Sequence, residues 1–155
     1  MDIYDYCEPV GRMKDPQPVA CAIRTGGRTL TVTVPGQLVS NGLAVTPEDR
    51  ESDVTSTWAI KHVSSGLSVA PGIKCFVWAV ECAERLAALD VPWQAPADRV
   101  RQVAETTGEA VAIIEEYWRR ERELDHSALG GTRVEKQRVR RELKRMGCVV
   151  YVDGG

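Results

Sequence analysis

Histidine is nearly missing from this chain: His62 and His126 are the only two. Imidazole-assisted acid–base or nucleophilic chemistry therefore has two places to sit. Cys-x-x-Cys pairs are absent, and the five cysteines, Cys7, Cys21, Cys75, Cys82 and Cys148, are odd in number. Neither a disulfide framework nor a zinc knuckle is expected. Cys75 and Cys82 would share a helix face, but seven residues set them about 10.5 Å apart along its axis, too far to ligate one zinc ion. Both are expected as buried small hydrophobes. Long apolar runs are lacking too. The longest, Cys75-Phe76-Val77-Trp78-Ala79-Val80, falls far short of the roughly 20 residues of a membrane span. The opening Met-Asp-Ile-Tyr-Asp-Tyr-Cys-Glu is acidic without an apolar stretch, which is not a secretory pattern, and a cytoplasmic protein is expected. Arg24-Thr25-Gly26-Gly27-Arg28-Thr29 lacks the Gly-x-x-x-x-Gly-Lys-Ser/Thr spacing of a phosphate loop. No metal and no cofactor are expected.

What is present fits one α+β domain over residues 1–155: hydrophobic residues are 43% and charged residues 27% of the chain, ordinary values for a globular protein. Residues 1–70 read mainly as β, 74–147 mainly as α, and 148–152 as a last strand. Leu30, Val32 and Val34 alternate with Thr29, Thr31 and Thr33, the period of a half-buried strand. Val19–Thr25 precedes it, and Gly26-Gly27 supplies a hairpin turn. Thr46-Pro47-Glu48-Asp49 has the cap, proline and acids of a single helical turn. A second hairpin runs from Trp58 through the Ser64-Ser65-Gly66 turn to Val69, with Trp58 and Ile60 on one face.

From Lys74 the period becomes helical, and Phe76, Ala79, Val80, Ala83, Leu86 and Ala87 form one stripe that should end near Asp90, ahead of Pro92. A longer helical pattern follows over 97–125. Its seam of Val100, Val103, Thr107, Ala110, Ile114, Tyr117 and Glu121 should pack on the helix at 74–90 as an antiparallel pair. Gly108 either bends one helix or separates two. Carboxylates are numerous but fall on outer helix faces beside arginines, so none stands out as a group in apolar surroundings.

Residues 58–90 form a β-β-α unit carrying Trp58-x-Ile60-x-His62-x-x-Ser65-Gly66 before an Ala-rich helix. In this it resembles pieces of small actinobacterial and actinophage accessory proteins of unassigned function. It is also broadly similar to the sheet-plus-helix arm-binding domains of phage integrases. These resemblances cover about a fifth of the chain and carry over no site. They imply a phage or actinobacterial accessory protein, placed in the host cytoplasm if phage-encoded.

Charge points to a class of partner. Between Thr132 and Met146 seven cationic side chains accompany two acidic ones, in a chain of formal net charge −2. Thr132-x-x-Glu135 is a capping box, so a basic helix over 132–146 is expected, followed by a final strand at Cys148–Val152. Arg133, Lys136, Arg140, Arg141, Lys144 and Arg145 would suit phosphates. They would equally suit an ion network with Glu115, Glu116, Glu121, Glu123 and Asp125, or an acidic partner surface. A helix-turn-helix at Gln102–Trp118 is disfavoured by Glu109, Glu115 and Glu116, which would face phosphates. Trp93, between prolines, either covers the end of the helical pair or anchors a partner, and Trp118 beside Arg119 and Arg120 has the composition of an interface. The expected function is non-catalytic binding of a macromolecule, first of all a protein. The roles that fit are a host-directed modulator, an anti-defence factor or an assembly component. A DNA-binding regulator that reads with the basic helix comes second, and a small hydrolase built on His62 and the adjacent serines third. A homo-oligomer through the 97–125 helix and no membrane partner complete the expectation.

Overall fold

The computed structural model describes residues 13–48, 57–130 and Gln137, with side chains described for all of these except Arg24, Thr25 and 124–130. The basic helix expected at 132–146 and the strand expected at 148–152 lie outside the described residues.

Five antiparallel strands follow one another in sheet order: β1 (Gln17–Thr25), β2 (Arg28–Leu38), β3 (Leu43–Glu48), β4 (Thr57–His62) and β5 (Ser68–Ile73). Gly26 and Gly27, at φ 56° and 78°, make the β1–β2 turn with the positive dihedrals that match strand twist. The ladder between β1 and β2 runs from Thr25↔Arg28 to Gln17↔Gly36, whereas β2 meets β3 only at Gln37↔Val45 and Leu38↔Ala44. The long strand therefore turns a corner at Pro35-Gly36. A side chain at Gly36 would put its Cβ 2.8 Å from Val19 Cγ2 and 2.9 Å from Thr46 Cγ2, so this corner closes only on glycine. The β1–β2 ribbon folds over the outer face of the sheet, where Val19, Cys21 and Ala44 form a small cluster with Val34 against it.

Over Thr46–Glu48, the described part of the helical turn expected at Thr46–Asp49, the chain is strand: Thr46 and Pro47 belong to β3, paired with Ala59 and Trp58. Ladder bonds to β4 outweigh the local capping pattern, and Pro47 is tolerated because β2 no longer pairs there. The alternation in β2 was expected to be half-buried along its length. Only Val34 is; Leu30 and Val32 are exposed.

The inner face of the sheet carries the main core. Leu43, Val45, Trp58, Ile60, Ala70 and Ile73 pack against α1 (Phe76–Ala87), and the Trp58 and Phe76 rings lie 4.6 Å apart. Gly108, left-handed at φ 69°, ends α2 (Ala97–Thr107), and α3 (Glu109–Gly130) begins at the next residue. Of the two outcomes open at Gly108, the separation of two helices is the one found. Val100, Ala110, Ile114, Tyr117 and Glu121 of the expected seam are buried, while Thr107 at the corner is exposed. α1 and α3 run antiparallel: Cys75 before the start of α1 meets Glu121, and Arg85 near its end meets Glu116 and Tyr117. The fold is α+β.

Candidate functional site

His62 ends β4 on the helix-facing side, in register with Leu43 and in line with Trp58 and Ile60. The next residues turn back through Ser64-Ser65-Gly66. Gly66, at φ 74°, donates its N–H to the His62 carbonyl at 2.8 Å. This tight return brings the Ser65 hydroxyl 2.7 Å from His62 Nδ1. On the other side of the ring, Nε2 lies 2.5 Å from the Trp93 carbonyl oxygen. A carbonyl only accepts, so Nε2 carries the proton, and in the neutral ring Nδ1 accepts the hydrogen of Ser65. The Ser65 oxygen in turn accepts the Leu67 N–H at 3.2 Å. The buried imidazole is thereby held at both nitrogens, and it ties the β4–β5 turn to the loop between α1 and α2.

That loop is fixed by Trp93, which is 1% exposed and donates its indole N–H to the Leu86 carbonyl at 2.8 Å. Trp93 is therefore a core residue, one of the two uses open to it in the sequence, and not a surface anchor, which removes it from the candidate binding residues. The Leu86 carbonyl near the end of α1, which also accepts the Leu89 N–H at 3.1 Å, supplied the partner its N–H needs. Trp118 is half-buried and donates to the Pro71 carbonyl at 3.1 Å, so it staples α3 to β5.

Beneath the turn, bounded by α2 and α3, lies a pocket of about 190 Å³. Leu67, Val69, Val100, Ala104, Val111 and Ile114 give it aliphatic walls; His62, Ser65, Ser68 and Arg101 supply its polar side chains. The Ser65–His62 pair imagined from the sequence does form. Its imidazole, however, is oriented by a backbone carbonyl, and no carboxylate lines the pocket among the described residues.

The charged end of α3 is organised around Tyr117 and Glu116. Glu116 receives Arg85 and, at 2.9 Å, Arg120. Both guanidinium groups also lie over the Tyr117 ring, at 5.5 and 4.8 Å from its centroid. The hydrogen bond from Arg85 holds the Glu116 carboxyl below its usual range, and burial pushes the Tyr117 phenol up. Arg119 faces Glu123 at 3.9 Å. Glu121 departs from the expectation that carboxylates sit on outer faces. At 8% exposure it is buried, and it accepts the N–H groups of Lys74 and Cys75 at 2.9 Å each. A heptad seam that ends on a glutamate was the available signal.

Cys75 corrects a second expectation, because it is disulfide-bonded, whereas Cys21 and Cys82 are buried free thiols. Pairing depends on Cα separation in the fold and not on spacing or parity in the sequence. The other half of that bond, like Arg133, Lys136, Arg140, Arg141, Lys144 and Arg145, lies outside the described residues. No group of three or more metal-ligating side chains is found among the described residues, and no described helix is long and apolar enough to cross a membrane.

One surface was missed altogether. Ile23, Leu30 and Val32 share the inner-facing side of the β1–β2 ribbon, since Ile23 pairs with Leu30 and Cys21 with Val32. Beyond the sheet nothing among the described residues covers that side, and the three are 40%, 51% and 40% exposed. Comparison with known proteins adds no name to any of these surfaces: no family model, no curated protein and no solved structure matches the chain.

Proposed function

We propose that this chain is a small non-catalytic accessory protein that binds another protein, and that the apolar side of the β1–β2 ribbon is its contact surface. The observation that carries this reading is the exposure of Ile23, Leu30 and Val32 side by side on one ribbon face. An aliphatic strip of this kind loses solvent contact on meeting a similarly apolar protein surface, and offers nothing to a phosphate backbone. The base of the ribbon is clamped over the sheet by Val19 and Cys21 and by the Ala22 N–H to Gly66 carbonyl bond of 2.9 Å. The strip is thus presented on a fixed element, which limits the ordering cost of binding. The phage or actinobacterial setting implied by the β-β-α resemblance supplies the working context, as a host-directed modulator, an anti-defence factor or an assembly component.

The test is capture of partners from an actinobacterial host by the tagged full-length chain, beside Ile23→Asp and Leu30→Asp. The reading expects a stoichiometric protein partner whose affinity falls at least about tenfold with either aspartate. Equal capture by both variants overturns it. So does retention of duplex DNA that weakens steeply with salt in place of any protein.

A further inference from the structure

The pocket beneath the β4–β5 turn has a polar inventory that can be worked out group by group. Both nitrogens of His62 are engaged, one with Ser65 and one with Trp93. The hydrogen of Ser65 is committed to His62, and its oxygen already accepts the Leu67 N–H. The side-chain donors left to a ligand are the Ser68 hydroxyl and the Arg101 guanidinium, which donates and never accepts. Among the described residues, Arg101 is also the one charged side chain lining the pocket, and it has no ion-pair partner there. An arginine at an aliphatic pocket without a carboxylate of its own is matched by an acceptor that brings negative charge.

Size narrows the rest of the ligand. A dry cavity of about 150 Å³ accommodates benzene, so about 190 Å³ takes one aryl ring or a short alkyl chain. We propose that this pocket binds a small monocarboxylic acid, with its aryl or short alkyl group between Val69, Val100, Ala104 and Ile114 and its carboxylate on Arg101 and Ser68. The His62–Ser65–Trp93 chain of hydrogen bonds positions the pocket's floor and does not touch the carboxylate. This site is separate from the ribbon strip, and neither proposal depends on the other.

The experiment is a titration of the full-length, isotope-labelled protein with 3-phenylpropanoate, and with 3-phenylpropan-1-ol as the neutral control, followed through backbone amide shifts. The acid should give saturable shifts centred on Leu67, Val69, Ala104 and Val111, and should bind roughly tenfold more tightly than the alcohol. Arg101→Gln, a change at an exposed position, should bring the acid down to the alcohol's affinity and leave the alcohol's own binding unchanged. The same spectra report that the variant is folded. The proposal is overturned if no saturable shift occurs up to about 10 mM acid or if the shifts centre elsewhere. Equal binding of acid and alcohol, with Arg101→Gln silent, overturns it as well.

Discussion

A buried imidazole with both nitrogens occupied is a structural commitment, and the cost of breaking it falls on whichever partner is left behind. Ser65→Ala removes the hydroxyl that serves His62 Nδ1 and leaves that nitrogen without its hydrogen. Losing one partner of a buried pair costs about 1–3 kcal/mol, and urea unfolding of Ser65→Ala should show a loss in that range. A neutral result would mean that water replaces the hydroxyl and that the turn is not tied down through the ring. Cys82 makes the opposite kind of statement. Burial pushes its thiol from an ordinary 9.0 up to about 12. The folded chain keeps this proton where the unfolded chain has lost it. The resulting stability is complete below pH 9 and disappears as pH rises toward 12, at about 1.4 kcal/mol per pH unit. Tyr117, raised by burial as well, adds in the same direction. Cys82→Ala should therefore flatten the alkaline limb of the stability profile while leaving the Tyr117 part, a comparison that denaturation at a series of pH values reads directly.

At the level of elements, α1 begins without a capping side chain of its own, and α3 supplies the missing group. The Glu121 carboxylate sits against the N–H groups of Lys74 and Cys75, where the positive end of the helix dipole favours an anion. Glu121→Ala should cost about 2–4 kcal/mol, since hydrogen bonds to a charged group and a helix cap are lost together. Glu121→Gln should recover part of that, because its amide oxygen still accepts. If the two variants unfold at the same urea concentration, the charge contributes nothing. This cap also shows where reading the sequence stops. The stripe of α1, the seam of α3 and the turns at Gly26-Gly27 and Ser64–Gly66 were legible because each is written in local periodicity or turn chemistry. Thr46-Pro47 was misread because ladder bonds to β4, contributed by residues a dozen positions away, overrode a local capping pattern. The partners of Glu121 and His62 were hidden for the same reason: Cys75 and Trp93 reach them only through the fold. The exposed strip of β2 was hidden in another way. Alternation fixes which residues share a face, but only the corner at Gly36 decides how much of that face the sheet covers.

For the molecule as a whole, the bond at Cys75 bears on where the protein works. A reducing cytoplasm seldom keeps a structural disulfide intact, and a cytoplasmic setting was the expectation from the sequence. The two statements can be separated on the purified chain. Unfolded in denaturant, the protein should present two fewer reactive thiols before reduction than after it. Reduction should also lower stability by about 2–4 kcal/mol. Should every cysteine react without reductant, in protein kept from air oxidation after release from cells, the bond is not carried in the cell and the cytoplasmic reading stands unopposed. Should two stay protected in the same preparation, the chain has matured in an oxidising compartment or inside an assembled particle. Of the proposed roles, the assembly component then fits better than a modulator free in host cytosol.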